Sequence, residues 1–304
     1  MDRLAAGGVR FRNAFITHSI CSPGRAGFLT GQYTHTNGVM NNHTPFPESN
    51  ITHASLLRDA GYQTAYFGKW HMGDQKARPG FQHYASFINQ EIYQNCPFEI
   101  NGTVYMKPLL EAGQSLEVAY STNAVHLDYL RHIKGIDENL GRLLDALDQL
   151  QLAEETVVVY TSDNGFYLGE HGLGDKRALY EEGLRIPFII RYPRLFPKGK
   201  LNDDLVINQD LAPTFLDLAG LPAYPGMHGV SFKPLALGNK PVGWRSSFLC
   251  YYSKDLGPTP TCRGIRTESA KLIVYKDKPE WTSVYDLQND PYELNSLPAD
   301  GPLA

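Results

Sequence analysis

Apolar residues recur along this chain at two spacings, and each spacing assigns a type of element. Between Thr122 and Leu150, the residues Val125, Leu130, Ile133, Ile136, Leu140, Leu143, Leu144 and Leu147 fall on one stripe. This predicts a long amphipathic helix whose Asp137, Glu138 and Arg142 face water. Ile51, Ala54, Leu57 and Ala60 predict a shorter helix stopped by Gly61, Asp210 to Gly220 predicts another, and Asp2 to Ala6 a brief opening one. The alternation in Val9-Arg10-Phe11-Arg12-Asn13-Ala14-Phe15 buries one face of a strand. Thr64-Ala65-Tyr66-Phe67 reads as a core strand, as does Ile186 to Pro193. The β-branched Thr156-Val157-Val158-Val159-Tyr160-Thr161 has the low polarity of a central parallel strand.

These elements predict an α/β domain over residues 1–233. After about Lys233 the pattern changes to short strands and turns. Cys262 to Glu268, Lys271 to Tyr275 and Val284 to Leu287 predict a small antiparallel subdomain over residues 234–304. Between Gln75 and about Thr122 the chain is aromatic and weakly periodic, as expected of loops and short strands beside a pocket.

Composition removes several classes of function. With 42% hydrophobic and 20% charged residues, the 304-residue chain has the balance of a globular protein with a large core. A net charge of −4 and a pI near 6.2 supply no basic field for nucleic acid, so an anion must be attracted by local cations. No apolar run is long enough for a membrane span, and Met1-Asp2-Arg3-Leu4 does not open a secretory signal. Four cysteines, Cys21, Cys96, Cys250 and Cys262, are too few for a disulfide scaffold. Cys250 and Cys262 either pair across a short loop or stay as two thiols.

The densest chemistry lies in Cys21-Ser22-Pro23-Gly24-Arg25-Ala26-Gly27-Phe28-Leu29-Thr30-Gly31. Pro23 favours the first turn of a helix. Cys21 would then stand at a helix start, where free N–H groups favour an anion and Arg25 is a fixed cation within reach. A lone cysteine is usually an inert buried residue; the surrounding run is what marks this one as a nucleophile. Lys69 and His71 follow a predicted strand at its carboxyl end, the edge where ligands collect in open α/β sheets. Asp163 and Asn164 end another, and a carboxylate beside an amide oxygen offers hard donors suited to Ca2+ or Mg2+.

Together these segments resemble the type I sulfatases of the alkaline-phosphatase-like superfamily. Cys21-x-Pro-x-Arg25 is similar to the first signature of that family, although Gly24 replaces its usual Ser or Ala. Gly61-Tyr62-Gln63-Thr64-Ala65-Tyr66-Phe67-Gly68-Lys69-Trp70-His71 is similar to the second, and Thr161-Ser162-Asp163-Asn164-Gly165 to a later metal-binding strand end. Asp210-Leu211-Ala212-Pro213-Thr214 and Asp290-Pro291-Tyr292-Glu293-Leu294-Asn295 resemble two further family segments.

The resemblance implies an α/β fold with a mostly parallel central sheet flanked by helices, and hydrolysis of sulfate esters. A maturation enzyme would oxidise Cys21 to formylglycine, whose hydrate attacks sulfur. Arg25, Lys69 and Lys176 would stabilise the developing charge, and His71 would position or deprotonate the nucleophile. His171 is a weaker candidate for substrate contact. Asp163, Asn164 and the modified Cys21 would hold a divalent cation, Ca2+ or alternatively Mg2+.

The Asp175 to Glu182 run and Cys262-Arg263-Gly264-Ile265-Arg266-Thr267 resemble bacterial enzymes acting on N-acetylglucosamine-6-sulfate. This implies a sulfated carbohydrate as substrate and a periplasmic, secreted or lysosomal setting. Two family features are not found: an opening strand ending in paired aspartates, and a Pro-His-x-Pro segment. Asp203-Asp204 is the only adjacent pair and lies in a late polar loop, so the chain reads as starting just after that strand. Two other readings therefore stand beside the sulfatase. One is an impaired or truncated homologue that binds sulfated glycans. The other is a phosphodiesterase or phosphonate hydrolase, because the same cations would accept a phosphoryl group.

Overall fold

The computed structural model describes residues 1–73, 78–87, 97–106, 122–255 and 258–301. Helix α1 (Asp2–Ala6) buries Leu4, and Gly7-Gly8 turn the chain into β1 (Val9–Phe11), whose Val9 and Phe11 are buried and Arg10 exposed. Strand β2 (Ala14–Phe15) delivers the chain to α2 (Cys21–Thr30), which ends at Gly31 in the left-handed conformation, φ 67°. Helices α3 (Thr34–Asn37) and α4 (His53–Asp59) follow, the latter opened by a Thr52–Ser55 capping box. Strands β3 (Ala65–Lys69), β4 (His83–Phe87), β5 (Pro97–Ile100) and β6 (Thr103–Met106) pair in that order, β3 with β4 parallel and the others antiparallel.

Helix α5 (Thr122–Gln149) leads to β7 (Val158–Thr161), then to the ribbon of β8 (Tyr167–Leu168) and β9 (Gly174–Asp175) and to the short α6 (Glu181–Leu184). Strands β10 (Phe188–Arg191), β11 (Lys200–Asn202) and β12 (Val206–Ile207) precede α7 (Leu211–Leu218) and α8 (Lys233–Ala236). The chain then forms an antiparallel meander of β13 (Ser247–Tyr252), β14 (Cys262–Thr267), β15 (Ala270–Tyr275) and β16 (Lys278–Asp286).

The α/β class holds, but the central sheet, ordered β11-β1-β10-β7, is mixed rather than mostly parallel. β1 runs parallel to β11 and antiparallel to β10, which is antiparallel to β7. Apolar β-branched strands report burial on both faces and say nothing of direction. The core strand expected at Thr64–Phe67 is also different. It is β3, in a separate sheet, where it pairs with β4 alone among the described strands, and its Phe67 is 76% exposed.

The α5 stripe divides in the same way. Leu144 is buried with Leu4, Val158 and Ile189, and Leu140 and Leu147 pack on them, whereas Leu130, Ile136 and Leu143 are exposed. The helix thus docks through its C-terminal half, and β7 is an outer strand of the described sheet. Of the loops expected between Gln75 and Thr122, residues 74–77, 88–96 and 107–121 lie outside the described residues, Cys96 among them.

The C-terminal meander shares its apolar core with the first part of the chain. Phe248, Cys250, Tyr252, Ile273 and Tyr285 join Val9, Phe11, Phe15, Phe188 and Phe232 in one buried cluster that crosses the expected boundary at residue 233. Cys250 and Cys262 stay as two buried thiols on neighbouring strands, the second of the alternatives left open. Burial pushes the Cys250 thiol up to about 12 and raises that of Cys262, so neither is a ready nucleophile.

A buried ionic joint ties the meander to α6. The fully buried Lys271 ammonium lies 2.8 Å from both Glu181 Oε1 and Glu293 Oε1, and Arg266 lies 3.2 Å from Glu181. Burial opposes the Glu181 charge, but Lys271, Arg266 and Arg185 outweigh it and hold the carboxyl well below its ordinary range. Removing one partner of such a joint leaves an uncompensated buried charge. Lys271→Met is expected to cost about 3–5 kcal/mol of stability, read as a lower denaturation midpoint in urea.

Two core histidines set the acid limit. His18 Nε2 accepts from the Ser253 N–H at 3.2 Å, and Nδ1 lies 3.3 Å from the Thr34 hydroxyl; His53 Nδ1 donates to the Leu29 carbonyl at 3.1 Å. Burial lowers them from 6.5 to about 3 and about 4, so they fold neutral. The unfolded chain therefore binds more protons below pH 6.5. Stability is expected to be full above pH 6.5 and to fall toward pH 4, each histidine contributing at most about 1.4 kcal/mol per pH unit. Denaturant titrations from pH 7 to pH 4 check this, and His53→Leu should flatten the slope.

Candidate active site

Helix α2 begins at Cys21 with no side-chain cap from Ile20. Its first turn is capped from elsewhere: Asn42 Oδ1 accepts the Ser22 N–H at 3.1 Å, and the Ser22 hydroxyl donates to the His71 carbonyl. The helix start is thereby tied to the exit of β3. Gly24 lies against the turn after β7, where an added Cβ would stand 2.5 Å from the Asp163 carbonyl and strike Ile16. A residue without a Cβ lets α2 approach that turn closely enough for Arg25 to reach Asp163.

One turn beyond Cys21, Arg25 Nε and Nη2 each lie 2.8 Å from Asp163 Oδ2, and Nη1 donates to the Lys69 carbonyl at 2.5 Å and the Tyr66 hydroxyl at 3.2 Å. Burial opposes the guanidinium charge, and Asp163 more than restores it. Burial likewise opposes the Asp163 charge, and Arg25, Lys69 and Lys176 overcome it, holding the carboxyl below its ordinary range. Two ammonium groups converge on the buried Cys21 sulfur: Lys69 Nζ at 3.3 Å and Lys176 Nζ at 2.8 Å. Lys69 is the last residue of β3, and Lys176 follows β9. Burial first, then Arg25 and Lys176, push the Lys69 ammonium down, while Cys21 and Asp163 draw it up.

His71 follows in the left-handed conformation, φ 56°, behind the fully buried Trp70. Its Nδ1 is buried without a hydrogen-bond partner. Burial and the cations Lys69, Arg25 and Lys176 lower the imidazole to about 4, so it is neutral near pH 7 and able to accept a proton. Asn164 Oδ1 is also buried without a partner, while its amide donates to the Gly165 carbonyl at 2.7 Å. An orphaned amide oxygen beside an ionised carboxylate is a donor pair that fits a hard divalent cation. Among the described residues, no two further His, Cys, Asp or Glu ligand atoms cluster with Asp163. Asp203 and Asp204 are surface partners of Arg12 and Lys240.

The structure therefore brings Cys21, Arg25, Lys69, Lys176 and Asp163 into one contact network, with His71 and Asn164 adjoining it. His171 sits in a different one. Its ring stacks on Tyr180 at 3.9 Å and Nε2 faces Glu182 Oε2 at 3.2 Å. His171, Glu182 and Glu293 place ligand atoms within 4.8 Å of one another. Lys271, at 2.8 Å from Glu293, already supplies the cation there. Two contributors carry no signal in the sequence, Asn42 and Asp255, whose carboxylate takes the Asn42 amide at 3.0 Å; Tyr66 lies within the second signature, but the resemblance assigns it no role there. A cavity of about 780 Å³ lined by Ile136, Leu140, Leu143 and Tyr160 includes none of the residues around Cys21 and is not the reaction site.

A family model described as Sulfatase matches residues 1–117 and 112–221, and one described as N-sulphoglucosamine sulphohydrolase, C-terminal, matches residues 169–302. The chain belongs to the sulfatase family, within the alkaline-phosphatase-like superfamily, and is a sulfuric ester hydrolase by descent. It is 28% identical to an N-acetylglucosamine-6-O-sulfatase of Bacteroides thetaiotaomicron, covering 98% of this chain and 77% of that protein. An ulvan-active sulfatase of Formosa agariphila is 26% identical over 98% of this chain and 71% of its own. A protein solved in complex with its substrate D-glucosamine-2-N,6-O-disulfate superposes with a TM-score of 0.85 at 26% identity, covering 97% of this chain and 87% of that one. A phosphonate monoester hydrolase from Silicibacter pomeroyi shares the fold alone, with a TM-score of 0.76 at 18% identity over 95% of this chain and 84% of that one.

The close approach of α2 makes a direct prediction. Gly24→Ala, and equally Gly24→Ser with the family's commoner residue, should cost about 1–3 kcal/mol by forcing α2 off the Asp163 turn. Chemical denaturation reads this cost.

Proposed function

We propose that this chain hydrolyses sulfate esters of sulfated carbohydrate at Cys21. The observation that carries the reading is the convergence of Lys69 and Lys176 on one buried sulfur, with Arg25 a helical turn away. Such a cluster of fixed cations is built for a tetrahedral oxyanion and for the charge that spreads over it during transfer. Oxidised to formylglycine by a maturation enzyme, position 21 supplies a hydrated aldehyde as nucleophile in place of the thiol. Asp163, Asn164 and the modified residue 21 would hold a divalent cation, Ca2+ or Mg2+, which adds positive charge at the same oxyanion.

The chain's own groups account for the rest. Arg25 and Lys176 bind and orient the sulfate, and the Tyr66 hydroxyl helps to hold Arg25 in place. The neutral His71, which adjoins the network, is the group to position the nucleophile or take its proton. Lys69, whose ammonium is pushed down by burial and neighbouring cations, can give a proton to the leaving oxygen. The relatives named above act on N-acetylglucosamine 6-O-sulfate and on ulvan, which supports an amino-sugar 6-O-sulfate as the first substrate to test. Among the described residues no helix is long and apolar enough to cross a membrane. An exported setting is inferred from relatives such as the extracellular sulfatase SULF-1 homologue of Drosophila melanogaster, of which this chain covers 32%.

A second reading, a glycan-binding homologue of low turnover, is favoured by the small donor set around Asp163 and Asn164. Calorimetric titration separates the two, because Ca2+ binding no tighter than millimolar supports the second.

The deciding experiment is mass spectrometry of the Cys21 peptide from protein made with a formylglycine-generating enzyme, followed by turnover assays. Conversion at Cys21, release of sulfate from 4-nitrophenyl sulfate and from N-acetylglucosamine-6-sulfate, and a loss of about 10³-fold or more in Cys21→Ala are expected. Faster hydrolysis of the phosphate analogue, or none of the sulfates with conversion confirmed, would overturn the proposal.

A further inference from the structure

Asp255 follows β13 in the C-terminal meander and carries a fully buried side chain. Two distant segments of the first part of the chain send donors to it. Asn42 Nδ2 donates to Oδ2 at 3.0 Å, Arg177 Nη2 reaches the same oxygen at 3.4 Å, and His43 Nε2 lies 3.2 Å from Oδ1. Each of the first two is one step from the reaction centre. Asn42 turns its other end, Oδ1, to the Ser22 N–H at 3.1 Å, next to Cys21. Arg177 directly follows Lys176, whose ammonium lies 2.8 Å from the Cys21 sulfur.

We infer that Asp255 is a positioning residue for the reaction centre, fixing the α2 start through Asn42 and the Lys176 ammonium through Arg177. A buried carboxylate is stable only when its partners are held in place, so the contacts that neutralise Asp255 restrict Asn42 and, together with the Arg177–Asp175 ion pair, fix Arg177 from two sides. The meander is thereby a working part of the site, reaching beneath both groups that define the pocket at Cys21. The inference rests on the anion pocket described under the proposed function.

Its sign distinguishes it from background electrostatics. Asp255 is an anion close to a cationic pocket, so deleting a mere bystander charge would tighten the binding of an anion. Deleting a positioning residue loosens it. The probe is inorganic sulfate, titrated calorimetrically into the Cys21 thiol form of the protein. Asp255→Ala is expected to weaken sulfate about tenfold, the scale seen when a supporting hydrogen-bond partner is removed. Asn42→Ala, which cuts one relay on its other side, should also weaken it, and the double variant should lose less than the sum of the two. Asp203→Asn, which removes a surface charge paired with Arg12, should leave binding unchanged.

Sulfate binding to Asp255→Ala that equals or exceeds that of the unaltered protein overturns the inference, as does full additivity in the double variant. If Asp255→Ala fails to fold by near-ultraviolet circular dichroism, Asn42→Ala alone decides, and unchanged affinity there overturns it. Absence of sulfate binding by the unaltered protein overturns the anion pocket itself, and this inference with it.

Discussion

The structure depends on a crowd of like charges held together by a single opposite one. Arg25, Lys69 and Lys176 meet around Cys21, and among the described residues Asp163 is the one carboxylate in their contact network. Like charges in a partly dry site repel, and the strain is visible in Lys69, whose ammonium burial and its cationic neighbours push down. What holds the cluster is geometry. Arg25 clamps the end of β3 to the turn after β7 by gripping the Lys69 carbonyl and Asp163 at once. A bound oxyanion relieves this repulsion, so the site is better satisfied with its ligand than without it. A preorganised pocket of this kind spends folding energy to hold charge where a reaction needs it.

The fold supplies that energy from both ends of the chain. Val9 and Phe11 on β1, Phe188 on β10 and Phe232 beside α8 share one apolar cluster with Phe248 and Ile273 of the meander. Lys271 then locks the meander onto α6 through Glu181 and Glu293. Glu181, the joint's carboxylate on α6, follows Lys176 by five residues. The loop that carries the Lys176 ammonium is thus followed directly by an anchored element. Gly24 serves the same end on the other side of the pocket, because any Cβ there would push α2 and Arg25 away from Asp163.

How much of this could be read from the residues follows from what each signal reports. The helices at Asp2, His53 and Thr122 and the meander strands were legible because periodicity reports burial, and burial built them. Strand direction in the central sheet was not, since Val158, Val159 and Ile189 are apolar whichever way their neighbours run. The exposure of Phe67 and of Leu130 and Ile136 on α5 contradicts the apolar pattern because a pattern states what a segment can bury, while its partners decide whether it does. At the site, the charged groups around Cys21 stood out through the motif in which they sit. Asn42 and Asp255 did not, because a polar residue that acts by holding a neighbour has no period and no spacing of its own. His171 fell on the other side of that line: its loop is polar and glycine-rich, yet its partners are Tyr180 and Glu182.

Charge alone does not explain why such a site would prefer sulfate. A phosphate monoester carries up to twice the negative charge of a sulfate ester near pH 7, and three cations facing one carboxylate would hold it more strongly. The preference must come from the step after binding. A dianion held too well raises the barrier to attack by another electron-rich group, and binding that is equal in ground and transition states accelerates nothing. His71 also offers no positive charge to the extra anion, because burial and the neighbouring cations lower its imidazole to about 4. Under the proposed function the pocket would set which tetrahedral anions enter, and the chemical state of residue 21 which of them react. On this argument the cations define a class of ligands, and under the proposed function it is the conversion of Cys21 that would select the reaction within that class.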